Sequence, residues 1–140
     1  MNLILTLTSI LILGLAVSGQ ITLKQVQEAM TQAKLPIGGM TVFDAKTDPN
    51  SLLGRPFGYL EKATWYDTRA GEKDASSECT VEIFKNAAAA GKRKKYLDAI
   101  SESLPILSQY SYLRKNILLR ATKILTPEQA AEYERAIKTL

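Results

Sequence analysis

The chain has 140 residues, of which 46% are hydrophobic and 23% charged, with a formal net charge of +4. This size and balance describe one globular domain and exclude a multidomain assembly, a collagen-like or low-complexity chain and a polytopic membrane protein. The absence of histidine and the single cysteine, Cys79, exclude Ser-His-Asp and Cys-His catalysis, histidine-ligated zinc or haem, and any intramolecular disulfide.

Residues 1–19 carry no charged side chain, and Leu3 to Val17 is an apolar run broken only by Thr6, Thr8, Ser9 and Gly14. A helix of that length spans roughly 22 Å, short of a ~30 Å hydrocarbon core. It fits the apolar core of a signal peptide. Ala16 and Ser18 suit cleavage before Gly19, and Val17 and Gly19 suit cleavage before Gln20. The alternative is a short uncleaved anchor. Residues 20–140 are expected to form a single domain, monomeric, in an extracytoplasmic place: secreted or in the cell envelope.

A first helix is predicted from Leu23 to Lys34. Thr22 is its N-cap, Gln25 completes a capping box, and Leu23, Val26, Met30 and Ala33 follow helical spacing. Leu35-Pro36 and Gly38-Gly39 stop it, and Met40 to Phe43 has room for a short strand. Asp44 to Gly58 reads as a long shaped loop. Within it Asp48-Pro49-Asn50-Ser51 has the chemistry of a type I turn.

Tyr59 to Asp67 reads as a strand with Tyr59, Ala63 and Trp65 on one face. A polar connector, Thr68 to Glu78, leads to a second strand, Cys79 to Phe84. Cys79 there reads as a small apolar strand residue. The acidic cluster Glu72, Asp74 and Glu78 lacks calcium-loop spacing and reads as a solvated connector.

A second helix is predicted over Ala87 to Leu104, capped by Asn86 and ended by Pro105, with Tyr96, Leu97, Ile100 and Leu104 as its apolar face. A hairpin follows, Tyr110 to Leu113 and Ile117 to Ala121. The third helix begins at Thr126-Pro127-Glu128-Gln129, with Thr as N-cap, Pro at the first helical position and Gln closing a capping box. Ala130, Tyr133, Ala136 (or Ala131, Glu134) and Ile137 supply its buried and boundary positions. The fold class is α+β: a sheet of about four antiparallel strands in β-β-α-β-β-α order, with helices on one face, preceded by an N-terminal helix.

Two segments carry a resemblance. One is Thr47-Asp48-Pro49-Asn50-Ser51-Leu52-Leu53-Gly54-Arg55-Pro56 followed by Tyr59. The other is Leu118-Leu119-Arg120 followed by Leu125 to Tyr133. Together they resemble a group of small bacterial exported proteins, often lipoproteins, with a TDPN-x-LLGRP-x-x-Y stretch. Val81-Glu82-Ile83-Phe84 and Arg93-Lys94-Lys95-Tyr96 match the group's V-E-x-F strand and R-x-x-Y helix. The likeness covers about residues 43–138. The chain departs from the group in having no lipid-carrying cysteine near the leader. The resemblance implies bacterial export and a single domain; it carries no activity.

Three places are candidates for function. Asp48, Asn50, Arg55 and Tyr59 suit a carboxylate or sugar ligand, combining a fork-shaped cation, an amide and a phenol. The same loop has a structural reading, in which Asp48 and Asn50 cap their own turn, Leu52 and Leu53 plug the core and Arg55 pairs with a carboxylate. The strand aromatics Tyr59, Trp65, Tyr66, Tyr110 and Tyr112 make either a flat adhesive face or ordinary packing. Lys92-Arg93-Lys94-Lys95 is the densest positive run. It suits an anionic surface but spreads around its helix, so a solvated face is the simpler reading.

The expected function is that of a small exported binding domain for a protein or an envelope component. No cofactor, metal, nucleic acid or catalytic residue is expected. One alternative is a secreted hydrolase using Glu61, Asp67 or Glu82. Another is a secreted inhibitor presenting the Asp48 loop to a target enzyme. Mass spectrometry of the protein from its host is expected to find an N-terminus at Gly19 or Gln20. An intact Met1 in the envelope fraction means an anchor instead.

Overall fold

A computed structural model describes residues 19–140, so the expected leader, apart from Gly19, lies outside the described residues. The elements are α1 (Leu23–Gln32), β1 (Ile37–Val42), β2 (Glu61–Asp67), β3 (Glu78–Ile83), α2 (Ala87–Ser103), β4 (Gln109–Arg114), β5 (Ile117–Thr122) and α3 (Pro127–Lys138). The strands form one antiparallel sheet in the order β1-β2-β3-β5-β4. Among the described residues no helix is long and apolar enough to cross a membrane.

The helix starts are set locally. Thr22 accepts a hydrogen bond from the Gln25 backbone N–H while the Gln25 side chain accepts one from the Thr22 N–H, and Thr126 and Gln129 repeat the arrangement. Asn86 caps α2 through the Ala89 N–H. Each such cap contributes about 1 kcal/mol by satisfying donors that the helix leaves free.

The main core lies between one sheet face and the pair α1 and α3. Val26 and Met30 of α1 and Ala130, Tyr133 and Ile137 of α3 pack on Ala63, Trp65, Val81, Ile83, Ile117 and Leu119. Trp65 and Tyr133 are both fully buried, and their rings lie 5.6 Å apart. Burial of each large side chain of this kind contributes roughly 1.5–3 kcal/mol. Their polar atoms are satisfied in series. The Trp65 indole N–H donates to the Tyr133 hydroxyl at 3.2 Å, and that hydroxyl donates to Asp67 at 2.8 Å. Asp67 also accepts from Arg69, which reaches on to Glu132.

The α+β class is as expected, with two particulars corrected. The sheet has five strands where about four were expected: the short strand allowed at Met40 to Phe43 is β1, and it begins at Ile37 because the Gly38-Gly39 pair continues a strand instead of merely ending a helix. Gly39 has φ +59°, and the β1–β2 register shifts between Gly38 and Thr41. A bulge of that kind favours glycine.

The helices also cover both faces rather than one. A second cluster, Tyr59, Phe84, Ala90 and Leu118 with Leu52, Leu53 and Leu97, joins α2 and the 44–58 loop to the opposite side of the sheet. Alternation in β3 puts Cys79, Val81 and Ile83 on one face and Glu78, Thr80 and Glu82 on the other. The polar face looks solvated in the sequence, yet Glu82 and Thr80 are buried.

Two smaller expectations change with it. Tyr59 leaves Trp65's face, because it precedes the strand and packs edge-on against Phe84 at 6.1 Å. Tyr96 of α2 and Leu104 just beyond its end are exposed, and the helix turns Ala90, Arg93 and Leu97 inward instead.

Asn116 ties the two ends of this arrangement together. Its side-chain oxygen accepts from the Ile21 N–H, and its amide nitrogen donates to the carbonyls of Ile21 and Phe84. Lying in the turn between β4 and β5, it is a buried clasp between the start of the domain and the end of β3.

Cys79 is fully buried in the main core, and burial pushes its thiol up to about 11. A thiol-specific reagent such as Ellman's is expected to modify Cys79 only as the protein unfolds, with a rate that follows denaturant concentration. Prompt reaction in native buffer would show that this part of the core opens locally.

Candidate functional site

The second sheet face carries the polar residues. Its first cluster is built by the 44–58 loop. Asp48 opens a turn closed by the Ser51 N–H on the Asp48 carbonyl at 3.0 Å. Its carboxylate then turns back on the loop. One oxygen accepts the N–H groups of Leu52 and Leu53 at 2.9 and 3.1 Å, and the other accepts that of Asn50 at 3.2 Å. The Tyr59 hydroxyl donates to the same carboxylate at 2.7 Å, and Lys62 Nζ does so at 3.0 Å. The loop then closes so tightly that a Cβ on Gly58 would lie 1.8 Å from the Leu52 carbonyl oxygen.

Burial by itself would raise the Asp48 carboxyl. The hydrogen bonds from Tyr59, Lys62 and the loop backbone outweigh it and hold the group well below the usual carboxylate range. Burial also raises the Tyr59 phenol, and the adjacent Asp48 raises it further. Asp48, Tyr59 and Lys62 are thus a satisfied polar plug.

The second cluster lies beneath α2. Glu82 has a fully buried side chain on the central strand. It accepts two hydrogen bonds from Arg93 of α2, at 3.2 and 3.1 Å, and one from Arg120 of β5 at 3.3 Å. Arg120 also donates to Gln109 at 2.9 Å, while its Nε is buried without a partner. Burial lowers the Arg120 pKa, Glu82 opposes that, and the like charge of Arg93 adds to it.

Beside Arg120 the sheet and α2 part. They enclose a cleft of about 780 Å³, floored by Thr80, Ser111 and Arg120 and walled by Leu97, Ile100 and Ser101 of α2. Ile106 and Leu107, from the short turn after α2, stand at its rim. The volume is that of a small-molecule site. A smaller hollow of about 410 Å³ between α1 and α3 is lined by Gln32, Glu132 and Arg135 and holds no buried unpaired polar atom.

The sequence-predicted residues fall in different places. Asp48 and Tyr59 are joined in the plug, with Asn50 donating to the Tyr59 hydroxyl at 3.3 Å from the surface. Leu52 and Leu53 pack on the second core cluster, as the structural reading of the loop has it. Arg55 does not pair with a carboxylate. It is exposed and lacks a side-chain partner among the described residues, beside Phe57, which is 86% exposed.

Trp65 is in the core and far from being an adhesive surface, so the aromatic face does not form. The basic run divides. Arg93 points inward to Glu82, Lys94 bonds Asp98 at 2.6 Å, and Lys92 and Lys95 remain exposed. Arg93 is therefore not part of a positive surface, because a buried carboxylate claims it.

Of the three alternative catalytic carboxylates, Glu61 accepts from the Leu23 N–H, Asp67 is held by Arg69 and Tyr133, and Glu82 by two arginines. No two of them share a partner. Among the described residues no group of three or more acidic or cysteine side chains is placed to hold a metal ion.

Arg120, Thr80 and Ser111 escaped the sequence reading. Their signal was present as polar residues alternating along strands whose other face is apolar. That pattern normally marks the solvent side. Comparison with known proteins found no matching family model, no curated relative and no similar solved structure.

Asp48→Ala is expected to cost about 3–5 kcal/mol of stability in urea unfolding, since it leaves Lys62 buried without its counter-ion. The wild-type stabilisation has a defined pH sign. The folded carboxyl lies below its ordinary value of 3.8, so the contribution is full above that value and fades as pH falls through and below it. Asp48→Ala should flatten that acid limb.

Proposed function

We propose that this is a small exported, non-catalytic binding domain that holds its ligand in the cleft between the second sheet face and α2. The cleft itself carries the reading. It combines a concave volume of small-molecule size with a polar floor, apolar walls and a guanidinium that is only partly satisfied. Export places such a ligand in the cell envelope or the medium, in keeping with the expected leader and with the resemblance to small bacterial exported proteins.

The separate engagement of Glu61, Asp67 and Glu82 supports binding over hydrolysis, because a glycosidase-type mechanism needs two carboxylates facing one bond. Catalysis by other groups would also need a titratable side chain free to move a proton. In the plug the candidates are bonded to one another.

A second reading is favoured by the loop tip. Arg55 and Phe57 project from a loop stiffened by Asp48, and Phe57 holds a positive φ of 66°. A rigid tip with an exposed cation and aromatic is suited to another protein's surface, as in an inhibitor.

Amide chemical shifts separate the two. Titration of the labelled protein with a library of small molecules is expected to move the signals of Thr80, Ser111 and Arg120, and Ser101→Trp, which fills the cleft, is expected to abolish the response. Shifts centred on Arg55 and Phe57, or scattered over the surface, overturn the cleft as the binding site.

A further inference from the structure

We infer that the cleft takes a singly charged carboxylate carried on an apolar body, and that Arg120 is the residue that anchors it. The inference rests on the cleft being the binding site, and adds the chemistry of what enters.

Charge comes first. Arg93 and Arg120 are two cations sharing one carboxylate, Glu82, in side chains that are 14%, 15% and 0% exposed. The other charges around the cleft cancel: Lys62 pairs with Asp48 and Lys94 with Asp98, and the lining residues Glu78 and Lys123 carry opposite charges. The Glu82 cluster therefore keeps one positive charge in excess. Water screens it little at such depth, where a charge is costly unless an opposite charge meets it.

Hydrogen-bond capacity agrees. A guanidinium has five N–H donors. Arg120 bonds only two protein oxygens, one of Gln109 and one of Glu82. Its Nε is the one buried side-chain nitrogen or oxygen among the described residues that has no partner. Arg93, by contrast, meets Glu82 through two of its nitrogens. Arg120 is thus the under-used member of the pair, and it is the one that lines the cleft.

Its neighbours extend the site. In the sheet register Thr80 and Ser111 stand opposite Arg120 on either side, and both line the cleft. Their hydroxyls can donate to the same anion. A planar carboxylate suits one guanidinium edge and two flanking hydroxyls.

The anion is singly charged because the excess is a single charge and because Glu78 also lines the cleft and repels a second negative charge. Its body is apolar because Leu97 and Ile100 form the wall and Ile106 and Leu107, 92% and 54% exposed, stand at the entrance. Covering such side chains is favourable in proportion to the area removed from water.

Calorimetric titration of the purified protein at pH 7 tests the inference with four probes: octanoate, octanol, octyl phosphate and acetate. Octanoate is expected to bind about tenfold or more tightly than octanol, the gain of a charge-assisted hydrogen bond. Acetate, which lacks the body, is expected to bind more weakly than octanoate. Arg120→Met is expected to bring octanoate and octanol within twofold of each other, and Arg120→Lys to keep part of the difference.

Equal binding of octanoate and octanol by the wild-type protein overturns the carboxylate while leaving the cleft as a binding site. Tighter binding of octyl phosphate overturns the single charge. No binding of any eight-carbon probe, or binding unaffected by Ser101→Trp, overturns the cleft itself. The wild-type comparison needs no variant, so it decides the matter even if Arg120→Met fails to fold.

Discussion

Glu82 sits near the C-terminal end of the middle strand with no access to water. A carboxylate so placed is costly by several kcal/mol unless cations meet it. Two do, one from a neighbouring strand and one from a helix. Arg120 comes with β5, whose register against β3 is fixed by the sheet. Arg93 comes with α2, and its two bonds to Glu82 hold that helix to the second face. The three-layer arrangement follows from that requirement as much as from apolar burial. α2 has only Ala90 buried among its own residues, so hydrophobic packing alone anchors it weakly.

The two sheet faces are consequently stabilised by different physics. Between the sheet and α1 with α3, large apolar side chains interlock, and a short series of hydrogen bonds satisfies Trp65 and Tyr133. On the other side, buried charges are answered by charges. Asp48 collects Lys62, Tyr59 and three backbone N–H groups, and Glu82 collects two arginines. Polar groups fix distance and direction more strictly than apolar ones. Where α2 and the sheet part on this side they leave a cleft with a charged floor. The core supplies rigidity, and the cleft supplies the surface on which the proposed ligand would be recognised.

Much of the fold was legible because its signals are local. Capping boxes at Thr22 and Thr126, the Asn86 cap and the Pro105 stop depend on residues three or four apart, and they are where the sequence puts them. The turn at Asp48 was legible for the same reason. What Asp48 does beyond its turn was not, because Lys62 lies fourteen residues away and on another element. Arg120 and Arg93 were harder still. Each reads as a surface cation within its own segment, and only the antiparallel pairing of β3 with β5 and the docking of α2 bring them to one carboxylate. Gly38-Gly39 misled in the opposite sense, since a helix stop and a strand bulge use the same residue.

The sequence by itself determined the places where helices begin and end, the loop that Asp48 organises, the α+β class, and the absence of histidine and disulfide chemistry. These follow from short-range hydrogen bonding, side-chain periodicity and composition, which need no knowledge of the rest of the chain. Only the tertiary structure decided that the polar side of the sheet is covered, that Arg93 is bound inside rather than displayed, and that Arg120 faces a cleft with donors to spare. Those facts depend on which distant segments meet. A polar residue in an alternating strand is the same letter whether water or a helix lies above it.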